Sequence, residues 1–278
     1  VTRPPADQRR TRQLAILLAL LAAIVAIVLP ALAPYDPLQT VSRAELQLPS
    51  AAHLLGTDLL GRDVLSRLLF GARASLGMAC VASLIALLPG AACGLFIAYP
   101  VGPGTGRIGF FFVMALQALL DGLLAFPGLL LAFVVIALIG NGPAQVAVAV
   151  GLSGIAPTAR IARSAARSAA VQPYVEAAYA AGARRTWVLS RHVLPGSLTT
   201  LGRFAAVTFG WSLLNAAALT FLGFGGDPSL PEWGTMLAEG RQALRAQPFE
   251  ALAAGAALTV AVYAANALAA RLTGPRRW

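Results

Sequence analysis

Glu176 to Pro195 reads EAAYAAGARRTWVLSRHVLP, a polar, arginine-bearing stretch inside a chain that is otherwise mostly hydrophobic. Pro173 can open a helix just before it, because the missing N–H would be unpaired in a first turn anyway, and Tyr174 to Ala181 carries strong helix formers up to Gly182, a C-terminal stop. Pro195 is expected to end a second helical piece. Helix, glycine bend and helix make a rigid knob rather than a floppy linker, and a knob implies a socket on another protein.

The mounting of this knob is membrane-like. Of 278 residues 58% are hydrophobic and 12% charged, against about 25% charged in a soluble domain. The apolar residues fall in runs, several of them long enough to cross a hydrocarbon layer that needs roughly 20 apolar residues per helix. The expected fold is all-α: a polytopic membrane protein with about six transmembrane helices and both termini cytoplasmic. The net charge of +10 comes from arginine alone and is not interleaved with exposed aromatics, which argues against nucleic acid. In the expected topology 15 arginines and 2 acids lie on the N-terminal side, against 6 and 8 on the other, with Asp121 left within a span. That asymmetry is the positive-inside pattern and sets the N-terminal side as cytoplasmic.

Reading outward from the knob, residues 1–13 form a basic cytoplasmic tail and 14–33 a first span, which a signal peptidase could also accept as a leader. Residues 34–74 form an outer, periplasmic loop. Its second half places Leu60, Val64, Leu65, Leu68 and Leu69 on one helical face, with Asp63 and Arg67 one turn apart on the other. This predicts a short amphipathic helix at the membrane surface with an i,i+4 ion pair. Residues 75–270 form the main transmembrane domain, with spans at about 75–99, within 108–139, at 144–161, 197–222 and 251–270. A bend at 102–107, a cytoplasmic loop at 163–196, an outer loop at 223–248 and a cytoplasmic tail at 271–278 complete the expected order. The stretch 108–139 is too long for one simple crossing, so part of it is expected along the inner interface.

Three polar or breaking positions within the spans are candidates for a translocation path. Asp121 is an ionisable group in an apolar stretch, Pro127 is an expected kink, and Asn215 is the one strongly polar residue inside its span. Each has a structural reading as well: Asp121 as an anchor at the inner boundary, Asn215 as an interhelical hydrogen bond. Trp233 suits a membrane interface. Cys80 and Cys93 fall 13 residues apart in one helix, about 20 Å along its axis, and cannot pair within it.

Chemistry of its own is scarce. There is no GxxxxGK[ST] phosphate loop and no lysine to complete one, so the chain does not bind ATP in that way. Only His53 and His192 offer imidazole, on opposite sides of the expected membrane, so no metal set forms. Gly151-Leu152-Ser153-Gly154 has the GxSG form of rhomboid-type intramembrane serine proteases. That alternative needs a histidine within hydrogen-bond reach of Ser153, and His192 lies in the arginine-rich loop. An ion-coupled secondary transporter is a third class, for which no internal repeat is visible.

Glu176-Ala177-Ala178, Gly182 and His192-x-Leu194-Pro195 resemble, in residue and spacing, the EAA motif of ABC importer permeases. Further stretches narrow the resemblance to the C-type subunits of the dipeptide, oligopeptide and nickel branch. These are His53-x-Leu55-Gly56-Thr57-Asp58, Gly61-Arg62-Asp63-Val64-Leu65-Ser66-Arg67, Asp121 with Ala125-Phe126-Pro127, Phe221-Leu222-Gly223 and Trp233-Gly234-x-Met236-Leu237.

The resemblance implies a permease subunit of an ATP-driven importer for dipeptides, oligopeptides or related ligands, forming half of a translocation path in a bacterial inner membrane. Nickel or a metal chelate is the alternative cargo. It implies no catalysis and no cofactor in this chain, with ATP and magnesium on the partners. These would be two ATPase subunits or one two-headed ATPase, a second homologous permease, a periplasmic or lipid-anchored substrate-binding protein, and membrane lipids. Glu176, Ala177, Ala178, Gly182, His192, Leu194 and Pro195 would form the coupling helix for the ATPase, and Asp58, Arg62, Asp63, Arg67 and Trp233 would meet the binding protein.

Overall fold

The computed structural model describes residues 28–41, 44–98, 107–225, 227 and 229–273. Among these the chain is helical, with no strand beyond an isolated bridge between Thr57 and Asp63. Helix α1 runs Val64–Ala98, α2 Arg107–Leu124, α3 Gly128–Ile139, α4 Pro143–Ser153 and α5 Ile155–Ala170. Then come α6 Pro173–Ala180, α7 Arg185–Val188 and a π-helical turn Leu189–Val193 that leads into α8, Leu194–Phe221. Helices α9, Trp233–Ala243, and α10, Phe249–Thr273, complete the order.

Among the described residues four stretches are long and apolar enough to cross a membrane: Val64–Ala98, Pro143–Ala170, Arg185–Phe221 and Phe249–Ala267. A fifth is added if Gly109–Leu124 and Gly128–Ile139, bent by 102°, count as one span. The expected first span at 14–33 lies mostly outside the described residues, as do most of the bend at 102–107 and the tail beyond 273.

Where the sequence suggests a surface helix followed by a separate span, the structure has one helix of 35 residues. Asp63 explains its start. Its Oδ2 accepts from the Ser66 backbone N–H and hydroxyl, both at 2.8 Å, and so caps the free donors of the first turn. No breaker follows until Pro89, well inside the helix. Asp63 therefore does not pair with Arg67, and the expected i,i+4 bridge is absent; Arg67 reaches Asp58 and Glu239 instead. The face expected to be solvated is in fact buried, because its charges are satisfied by protein.

Helix α1 is the axis of the bundle. Toward its start Ala72 and Leu76 pack with Leu213, Ala217, Trp233, Met236 and Leu258 from α8, α9 and α10. Midway Met78 and Ala82 join Ile136, Val146, Val150 and Leu219. Along its second half it lies on α5, whose buried face is almost entirely alanine: Ala156, Ala159, Ala162, Ala165, Ala166 and Ala169. Small residues let the two backbones approach closely, the usual way for membrane helices to gain van der Waals contact. A Cβ on Gly94 would run into the Ala159 carbonyl and the Ala162 side chain, whereas one on Gly77 would meet nothing within 4 Å. Gly94→Val is thus expected to destabilise the purified subunit by about 1–3 kcal/mol through overpacking. Gly77→Ala, in the same helix, should leave its thermal midpoint unchanged or higher.

Candidate functional site

The knob stands at the end of α1 that carries Leu95 and Ala98. These pack beside Ala166, Ala169, Val175, Val188 and Val193, the small apolar core that seats the knob on the bundle. Helix α6 stops as the sequence suggests: Gly182 takes φ +81, its N–H donates to the Tyr179 carbonyl at 2.9 Å, and the Ala183 N–H donates to the Ala178 carbonyl at 3.0 Å. That pair of bonds closes a helix with a left-handed residue, where glycine carries no Cβ penalty. Pro195 does not end a second piece. It is the second residue of α8, directly after the π-helical turn that runs straight into that span. The second half of the knob is therefore the foot of α8.

Glu176, Ala177, Gly182 and Leu194 are exposed, while Ala178, His192 and Pro195 are half-buried. Glu176 makes no side-chain hydrogen bond or ion pair among the described residues. The His192 ring packs against Tyr174 and Trp187, with centroids 5.7 and 5.2 Å away. Val171, Tyr174, Tyr179 and Trp187 are exposed around it. A rigid surface with exposed aromatics and one unpaired carboxylate has the composition of an interface.

At the other end of α1, which at 35 residues is about 50 Å away along the helix, lies a buried charge network. Asp58 caps its own turn by accepting from the Leu60 and Arg62 N–H groups, both at 2.9 Å, and Gly61 completes that turn at φ +73. The other Asp58 oxygen accepts from Arg62 Nε at 2.6 Å and Arg67 Nη1 at 2.9 Å. Both arginines also reach Glu239 of α9, at 2.9 and 2.8 Å. Nearby, His53 Nδ1 lies 2.9 Å from Asp63. The outer loop is thereby clamped to α1 and α9.

Glu250, at the start of α10, is fully buried with both carboxylate oxygens unpartnered among the described residues. Asp58, Glu239 and Glu250 bring one oxygen each within 4.8 Å of the others. The donor set is nonetheless that of an ion-pair network rather than a metal site. Asp58 already accepts four N–H donors, filling its lone-pair sites, and two guanidinium groups stand where a cation would have to go. Burial pushes the Glu239 carboxyl up, against the pull of Arg62 and with a further push from Asp58. Glu232 is likewise pushed up by burial, while accepting from the Ser75 hydroxyl and the Gly234 and Thr235 N–H groups.

The residues read as possible binding-protein contacts are inside. Asp58, Arg62, Asp63, Arg67 and Trp233 are all 5% exposed or less. Trp233 is buried rather than on an exposed face: its indole N–H donates to the Leu68 carbonyl at 3.0 Å and anchors α9 on α1. These side chains shape the outer loop from within, and the surface it offers is made by others, among them Leu48, Leu54, Leu60 and Leu230. Glu239 was not legible as the partner of the two arginines, nor Glu250 as a buried carboxylate beside them. The one signal was that Glu250 opens an otherwise apolar span.

The suggested path residues do not come together as a group. Asp121 is exposed on α2, with Gln117 Nε2 at 3.5 Å. Pro127 caps α3 at the bend, and Asn215 donates to the Trp211 carbonyl of its own helix at 2.8 Å rather than across helices. Ser153 donates to the Val150 carbonyl at 2.8 Å. Its neighbour Gly154 lies against Trp211, 19 residues along from His192 and so about 28 Å away. No serine–histidine dyad can form.

The family described as binding-protein-dependent transport system inner membrane component matches residues 90–275, well over half the chain. The chain belongs to this family. The glutathione transport system permease protein GsiD of Pectobacterium atrosepticum is 39% identical over 220 residues, covering 79% of this chain and 70% of that protein. GsiD of Escherichia coli O157:H7 is 36% identical over 255 residues, covering 91% and 82%. A solved structure of the MetNI methionine ABC transporter in an inward-facing conformation shares the fold at 17% identity and a TM-score of 0.57, covering 75% of this chain and 97% of that one. The protein is thus a permease subunit of an ABC importer in the dipeptide and oligopeptide branch, an integral membrane protein and not an enzyme. ATPase subunits hydrolyse the ATP and a substrate-binding protein is a further partner.

Proposed function

We propose that this permease carries short peptides across a bacterial inner membrane, with both termini cytoplasmic and the knob seated in the ATPase. The observation that carries the reading is the knob itself: a helix closed at Gly182, a carboxylate at Glu176 without a partner among the described residues, and a rim of exposed aromatics, all fixed to the bundle by a small apolar core. A second homologous permease completes the path, and ATP and magnesium stay on two ATPase subunits or one two-headed ATPase. The binding protein, periplasmic or lipid-anchored, meets the exposed apolar residues of the outer loop.

The peptide class is supported by the likeness to glutathione permeases, glutathione being a tripeptide. The test is to co-purify the subunit with its genetically neighbouring components, reconstitute them in liposomes, and compare ATP-dependent uptake of di- and tripeptides, glutathione, nickel and nickel chelates. Saturable peptide uptake is expected. Uptake of nickel or its chelates with none of the peptides would overturn the reading.

A further inference from the structure

Among the described residues, acids and arginines meet at the start of α1 and again beside the bend between α2 and α3, and the first of these sites is closed. In the network at the start of α1 every guanidinium is within 2.6–2.9 Å of a carboxylate. Beside the bend between α2 and α3, Asp121 and Gln117 share a pocket with Arg160 and Arg163 of α5. There, no ion pair joins the acid to either arginine among the described residues. The separation is built in: Leu120 of α2 is buried with Ile97, Ala156 and Ala159, which fixes the two helices and the charges they carry.

Arg160, Arg163 and Arg167 are spaced at i, i+3 and i+7, one stripe about 10 Å long that flanks the alanine face of α5. None of the three makes a hydrogen bond or ion pair among the described residues. Arg160 lies 17 residues from Pro143, the start of its candidate span. That is about 26 Å, still within the roughly 30 Å of a hydrocarbon core. Within a turn of the boundary, an arginine reaches either the headgroup region or a water-filled cavity.

We propose that the exposed charged rim of this pocket, whose interior of about 10 Å³ has room for little more than a water, meets the two charged ends of a short peptide during its passage. Arg160, with Arg163 beside it, takes the C-terminal carboxylate as a bidentate guanidinium pair; Asp121, with Gln117, takes the N-terminal ammonium. Opposite charges held apart fit a dipolar ligand. An anionic lipid headgroup would be repelled by Asp121, and a bare metal cation by the arginines. The ends of an extended dipeptide lie about 7 Å apart and those of a tripeptide about 10 Å, so the stripe can shift a carboxylate from one arginine to the next toward the knob. The proposal rests on the peptide reading above and names the residues that recognise the peptide within the membrane.

The test uses the complete reconstituted importer and three probes: tri-alanine, its C-terminal amide and its N-acetyl form. Taking the ratio of variant to parent uptake for each probe cancels the preference of the binding protein. Arg160→Gln is expected to lower uptake of tri-alanine about tenfold while sparing the amide, and Asp121→Asn to do the same while sparing the N-acetyl form. Binding of the same probes to the detergent-purified complex without the binding protein gives the ratios directly, even if only free-acid peptide is delivered. Equal losses for acid and amide, or no loss, overturn the proposal. A deficit seen with phosphatidylglycerol but not with phosphatidylcholine alone would assign the stripe to lipid and overturn it too. A parent complex that takes up no peptide would instead overturn the peptide reading, and this assignment with it.

Discussion

Gly182→Asp is expected to yield a permease that inserts and assembles but no longer supports ATP-driven uptake. The left-handed φ of +81 at Gly182 costs an ordinary residue about 1–2 kcal/mol, and aspartate tolerates it better than most. A Cβ there would meet no atom within 4 Å. The fold therefore has room for the substitution. The socket of the proposed docking would not: the new carboxylate would stand at the apex between α6 and α7, where the ATPase of that reading closes around it. An unpaired charge buried in an interface costs about 2–5 kcal/mol, a loss of roughly 30-fold or more.

Gly182→Ala separates the two effects, since it carries the backbone strain without the charge and should keep most of the uptake. Glu176→Arg should uncouple as Gly182→Asp does, because it reverses the one carboxylate that the knob presents. Uptake in liposomes, ATP hydrolysis and the thermal midpoint of the purified subunit are the readouts. Unchanged uptake in Gly182→Asp would remove the coupling role from the knob, and a collapsed midpoint would move the defect to the fold.

The contrast between the two ends of α1 explains what could be read from residues alone. Near the knob the informative signals are local. A proline at a first helical turn, a glycine at a left-handed stop and arginines at a span boundary act over a few residues, and Gly182 closes α6 as its position suggests. Pro195 was misread because a proline can end one helix or open the next, and only the π-helical turn before it, continuous with α8, decides between them. At the far end the pattern misled. Asp63 and Arg67 stand at ion-pair spacing, yet Asp63 is spent on capping α1 and on His53. The partners of Arg67 come from nine residues before it and from 172 residues after. Periodicity cannot report such a contact, nor can it tell a solvated polar face from one buried against distant carboxylates. Asp121 was visible as a charge within a span, but its sharing one pocket with Arg160 depends on how α2 lies on α5.

Arg67→Ala is expected to be the most destabilising of the single substitutions considered. The Arg67 side chain is fully buried, and its two Nη groups bridge Asp58 and Glu239, joining the outer loop and α9 across the first turn of α1. Removing it leaves Asp58, itself fully buried, with Arg62 as its remaining cationic partner. Breaking a buried pair from one side costs about 3–5 kcal/mol, because the surviving charge loses its compensation without regaining water. The same argument makes the effect conditional on that charge. In Arg67→Met with Asp58→Asn the network loses one charge of each sign, so the pair should cost less than the sum of the two single changes, by about 0.5–3 kcal/mol. Thermal unfolding of the purified subunit measures all four forms, and limited proteolysis of residues 44–63 reports whether the outer loop has come free of α9. Arg67→Ala within about 0.5 kcal/mol of the parent is the range of an ordinary surface change. It would mean that the outer loop is held by its own turns, those of Asp58 and Gly61, and not by the charges beneath it.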